Sequence, residues 1–158
     1  ALPRAWLASR VEVLNEKTML EVIRSGKLPN GDLWDPLVTG LVETPIDFDS
    51  DTKQDSLAQV EITNREPNRV GVRVQSAARS LLVLSENHFP GWSVYVDGNS
   101  ATLLRVDYNL RGVAVPAGEH RVEFVYRPGS VLLGLALSLS ALAFLLLWLA
   151  RPRFLSVP

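Results

Sequence analysis

Residues 92–98 read Trp-Ser-Val-Tyr-Val-Asp-Gly, and this stretch decides the fold. Trp92, Val94 and Val96 alternate with Ser93 and Tyr95, the period of a strand with one buried face. Asp97-Gly98 then supplies the dipeptide that tolerates the positive φ angles of a two-residue hairpin turn. Working outward, strand signals recur at 57–63, 70–75, 81–85, 101–106, 112–115 and 120–126, with turn residues between them at roughly 8–12-residue intervals. Val70, Val72 and Val74 face one way and Gly71, Arg73 and Gln75 the other; Val122, Phe124 and Tyr126 repeat the pattern. Pro116-Ala117-Gly118-Glu119 makes a second tight turn before the last strand. This spacing predicts a mainly β fold, an antiparallel sandwich of jelly-roll or immunoglobulin-like type.

The segment before residue 57 is less regular. Leu7, Ser9, Val11 and Val13 alternate with Ala8, Arg10 and Glu12 and predict one half-buried strand. Asn15 reads as the N-cap of a short surface helix over 16–25, with Met19, Leu20 and Ile23 at helical spacing and Gly26 stopping it. A loop with the turn Pro29-Asn30-Gly31 follows, then a strand over 37–43 interrupted at Gly40. The acidic run 47–55 reads as a solvated loop.

Beyond residue 130 the chemistry changes. Residues 131–150 hold twenty residues without a charge, the length of a helix that crosses a bilayer core of about 30 Å. Tyr126 and Trp148 fall near its two ends, where amphipathic rings favour the headgroup level. Gly134, Ser138, Ala141 and Ala143 form a small-residue stripe of the kind that admits a neighbouring helix. The expected organisation is therefore a β domain over 1–128, a transmembrane helix over 129–150 and a short tail over 151–158. Arg151 and Arg153 crowd that tail and favour its cytoplasmic placement, which sets the β domain on the extracytoplasmic side. The chain starts without an initiator methionine or a signal peptide, so an upstream hydrophobic segment is expected to translocate it. The short link through Arg127 and Pro128 is expected to hold the β domain near the lipid surface.

Sixteen basic and seventeen acidic residues give a formal charge of −1. Without the tail the balance is fourteen against seventeen, too acidic a surface for gripping nucleic acid. Cysteine is absent, which excludes disulfides and thiolate zinc sites. His88 and His120 stand in no metal-ligand spacing, and no nucleophile elbow, P-loop or dinucleotide fingerprint is present. No catalytic residue, cofactor or metal is expected, and so acidic a domain is expected to offer a leaving phosphate little electrostatic stabilisation. His120 reads as an imidazole hydrogen-bonded at a strand end. The ligand-binding candidates are His88 in the loop before Trp92, Trp92 and Tyr108 as aromatic platforms alongside Phe89 and Tyr95, and Arg111. Each has a structural reading beside it: Trp92 as core with Val94 and Val96, and Arg111 as an ion pair with Asp107.

The ordered set Leu2-Pro3-Arg4-Ala5-Trp6, Trp34-Asp35-Pro36, Phe89-Pro90-Gly91-Trp92, Val96-Asp97-Gly98, Arg111-Gly112-Val113 and 116–128 closely resembles the C-terminal end of the YfhO-type bacterial membrane proteins. Trp34 replaces a more usual phenylalanine, and Asp107 stands where asparagine is common. The resemblance implies a multi-pass protein similar to polyprenyl-phosphate-sugar-dependent glycosyltransferases of the GT-C architecture, placed in the bacterial cytoplasmic membrane. Its catalytic acid would belong to an early loop outside these residues. The implied partners are the lipid bilayer, upstream transmembrane helices of the same protein, and an envelope glycan or lipid-linked sugar. Two other readings stand beside it: an independent single-pass module that binds a glycan or a protein, and a small tethered hydrolase.

Overall fold

The computed structural model describes residues 2–48 and 58–150, apart from the side chain of Leu132. Most of the acidic run, the start of the strand expected from residue 57 and the tail with Arg151 and Arg153 lie outside the described residues. The chain divides into two units, Ala1–Arg127 and Pro128–Pro158.

The first unit is a β-sandwich. One sheet has six strands: β1 (Ala5–Ala8), β2 (Arg10–Val13), β3 (Thr39–Val42), β6 (Ser80–Asn87), β9 (Leu104–Val106) and β10 (Leu110–Val115), in the order β1-β6-β10-β9-β3-β2. The other has five: β4 (Gln59–Glu66), β5 (Arg69–Ser76), β7 (Trp92–Val96), β8 (Asn99–Ala101) and β11 (Gly118–Tyr126), in the order β4-β5-β11-β7-β8. All pairings are antiparallel except β2 with β3, which is parallel.

The valine alternation expected from residues 70–75, 92–96 and 120–126 is the inner face of the five-stranded sheet. Val70, Val72, Val74, Val94, Val122 and Phe124 pack against Leu82, Leu84, Val113 and Val115 of the six-stranded sheet. The uninterrupted run 81–84 has a different cause: β6 is buried on both faces. Leu81 and Val83 point away from the sandwich into a second core with Trp6, Ala8, Val42, Leu104 and Val106. A strand covered on both sides reads as continuous apolar sequence.

The segment expected as one strand over 7–13 is two. β1 pairs with β6 at one edge of the six-stranded sheet and β2 with β3 at the other, with Ser9 alone between them. One extended segment thus draws the two edges of the sheet together, and the sheet curls around its second core. On β1, Trp6 and Ala8 join Leu81 and Val83 in the second core, while Ala5 and Leu7 pack against the sandwich core. Residues 101–106 also divide, between β8 in one sheet and β9 in the other.

Helix α1 (Glu16–Ser25) forms as expected, with the Asn15 side chain accepting from the Thr18 N–H and Gly26 at φ 69° closing its C-terminus. Its buried pair is Met19 and Val22, which cover Leu41 of β3, while Ile23 is exposed. The Trp34-Asp35-Pro36 loop is structural. The indole N–H of Trp34 donates to the Thr39 carbonyl, that of Trp6 to the Pro36 carbonyl, and the Asp35 carboxylate accepts from the Leu37 N–H. Asp97-Gly98 is the hairpin turn between β7 and β8, with φ of 50° and 80° at its two positions.

In the second unit, α2 (Gly129–Ala150) is a 22-residue helix, apolar all round, with Leu133 and the leucines that follow it exposed. At 1.5 Å per residue it reaches about 33 Å, enough to cross a bilayer core. Ser138 and Ser140 return their hydroxyls to the Gly134 and Ala136 carbonyls, which satisfies within the helix the polar groups that lipid could not.

Candidate functional site

Arg111 stands on β10 in register with Val113 and Val115, a face that should be wholly apolar. It is 2% exposed. Between Leu110, opposite Asn87, and Arg111, opposite Leu84, the ladder slips and leaves two residues of β6 unmatched. A bulge of this kind re-aims side chains, and one of the two residues is Glu86, whose carboxylate pairs with Arg111. The guanidinium lies 3.7 Å above the centre of the Trp92 ring and 5.9 Å from that of Phe124. Burial pulls the Arg111 guanidinium below its usual value and Glu86 opposes that shift. With one nitrogen on Glu86, Nε and Nη1 of Arg111 have no acceptor among the described residues, and neither has the indole N–H of Trp92.

These groups border a cavity of about 610 Å³ whose wall also includes Arg4, Arg65, Glu86 and Phe89. Glu86 is shared: Arg65 Nε lies 4.0 Å from its second oxygen. Arg4 has no ion pair among the described residues. Glu66, the other acid of the wall, accepts from the Asn64 amide. Three guanidinium groups therefore meet two carboxylates here. The domain's net acidity, from which little support for phosphate was expected, conceals this local excess of cations. Phe89 is 44% exposed and meets the rings of Trp92 and Tyr126 edge-on at 6.2 Å and 5.4 Å.

Of the four sequence candidates, Trp92 and Arg111 are brought together. Trp92 is half-buried, so it belongs to the core margin and to the cavity at once. Arg111 is an ion-pair residue, but its partner is Glu86 and not Asp107. His88 sits in the adjoining loop, its backbone N–H donating to the Asn109 carbonyl at 2.6 Å; burial, then Arg105 and Arg111, push its imidazole below the usual histidine value. Tyr108 lies elsewhere, against the Met19, Val22 and Leu41 core, with Arg105 5.6 Å from its ring centre. His120 is held at its strand end, Nδ1 2.6 Å from the Asp97 carboxylate and Nε2 3.2 Å from the Ala117 carbonyl. Sequence reading missed Arg4, Arg65 and Glu86, which three separate strands or strand edges contribute. The one local signal was the polar Ser85-Glu86-Asn87 end of an otherwise apolar strand.

The family model described as bacterial membrane protein YfhO matches residues 45–138, well over half of the chain, from ahead of β4 into α2. No curated protein and no solved structure matches the chain.

Proposed function

With the chain a member of the YfhO family of bacterial membrane proteins, we propose that it is the non-catalytic extracytoplasmic β domain and anchor helix of a glycosyltransferase-like envelope protein. The observation that carries this reading is the continuity of the family match from residue 45 across β4–β11 and into the apolar helix. The Arg151 and Arg153 pair supports the sidedness of this reading, since short basic tails favour the cytoplasm while long domains cross largely regardless of charge. The catalytic acid is assigned to other parts of such proteins because the resemblance places it in an early loop. In this reading the domain braces the catalytic portion or shapes its acceptor site.

A second reading, a glycan- or protein-binding module, draws support from the cavity around Arg111. The two differ in what surrounds the domain in the membrane and agree that the domain performs no transfer. The test is to express residues 1–128 alone and offer them a polyprenyl-phosphate sugar donor. The domain should melt cooperatively and transfer nothing. Transfer above background that disappears in Asp97→Asn or Asp107→Asn would overturn the non-catalytic assignment.

A further inference from the structure

Beyond that reading, we propose that the cavity bordered by Arg111, Arg65 and Trp92 is a binding site for a phosphate oxyanion. Among the described residues, the unmet buried groups of the side chains that line it are all donors: Nε and Nη1 of Arg111 and the indole N–H of Trp92. A ligand that completes them must bring acceptors. Every hydroxyl of a neutral sugar brings a donor of its own along with its acceptor lone pairs, whereas an ionised phosphate presents acceptors only. Geometry favours phosphate over carboxylate. The guanidinium lies above the indole at 3.7 Å, so three unmet N–H donors belong to one stacked pair of side chains, and a phosphate monoester brings three terminal oxygens where a carboxylate brings two.

Charge points the same way. Glu86 is divided between Arg111 and Arg65, and Arg4 adds a third guanidinium at the wall. The depressed His88 imidazole beside it, disfavoured by burial and then by Arg105 and Arg111, reports the same positive surroundings. A purely structural ion pair has no need of this excess: Glu86 with Arg111 alone would neutralise the buried charge. A buried donor left unmet forfeits the hydrogen bonds it made to water, and an entering oxyanion restores them. The phosphate could belong to a soluble phosphate ester or to a lipid headgroup, and the site is the same for both.

The experiment uses the full chain in phosphatidylcholine nanodiscs and follows the indole N–H resonance of Trp92, assigned through Trp92→Phe. Glycerol 1-phosphate and inorganic phosphate are titrated in, with methyl glucoside and sodium chloride at matched ionic strength as comparisons. A saturable shift with the phosphates alone is expected, weakened about tenfold or more in Arg111→Lys and Arg65→Gln. Replacing part of the lipid with phosphatidylglycerol identifies the source. A shift without soluble ligand indicates a headgroup, and its absence alongside the soluble response indicates a soluble ester. No saturable response to any phosphate, a response reproduced by methyl glucoside or salt, or equal responses in wild type and Arg65→Gln would overturn the proposal. Arg65 is half exposed, so that variant decides the matter even where Arg111→Lys fails to fold.

Discussion

Asp107 does the work of a backbone. At φ 47° it leaves β9 and turns its carboxylate onto the Leu41 N–H at 2.9 Å, while its own N–H donates to the Leu41 carbonyl. Its second oxygen is buried without a partner among the described residues, and burial raises its pKa from 3.8 to about 6, with the Leu41 hydrogen bond opposing. The folded chain therefore holds a proton on Asp107 that the unfolded chain releases above about pH 4. Stability should fall as pH rises from about 4 to 6 and level off beyond. Asp107→Asn keeps an acceptor for Leu41 and removes the charge. It should raise stability at pH 7 by about 1–2 kcal/mol and flatten that fall, as melting curves of wild type and variant across pH 4–7 will show. At Arg111 the balance is reversed. Glu86→Ala leaves a buried guanidinium without its counter-charge and should cost about 3 kcal/mol in denaturant unfolding.

Glycines and turn partners define the elements at close range. A Cβ on Gly112 would stand 2.5 Å from Val106 Cγ2 and 3.0 Å from the Leu82 carbonyl. The carbonyl cannot yield as a side-chain tip can, so Gly112→Ala should lower stability by about 1–3 kcal/mol, read as a shifted unfolding midpoint with an unchanged denaturant slope. The turn before β11 depends on the His120–Asp97 pair. Its hydrogen bond to Asp97 raises the His120 pKa, and the same bond lowers that of Asp97. Its stabilisation is present between the ordinary aspartate and histidine values, fades as pH falls through the Asp97 pKa, and fades as pH rises through that of His120. A His120→Gln domain should lose its stability deficit relative to wild type toward pH 9.

The same elements explain what was legible. β7 and its hairpin, α1 with its cap, and the valines of β5 and β11 carry their structure in local period and turn chemistry. The split at Ser9 does not, because an extended segment has the same alternation whether it pairs at one sheet edge or two. Arg111 was visible as a residue but not as a site, since Glu86 reaches it only through a bulge and Arg4 and Arg65 only through the folded sheet.

At the scale of the whole molecule, an apolar helix of 22 residues and membership of a bacterial membrane protein family make this a membrane protein. Its orientation is the point on which the proposed role turns. A cytoplasmic sandwich would meet neither envelope polymer nor outward-facing donor. None of these 158 residues is cysteine, so Asn99→Cys, on the exposed side of the β7–β8 turn, adds a single thiol to them, read against the protein without that substitution. In intact bacteria carrying the full-length variant, a membrane-impermeant maleimide should label position 99 as fully as it does after lysis. Labelling that occurs only after lysis would place the sandwich in the cytoplasm and contradict the account.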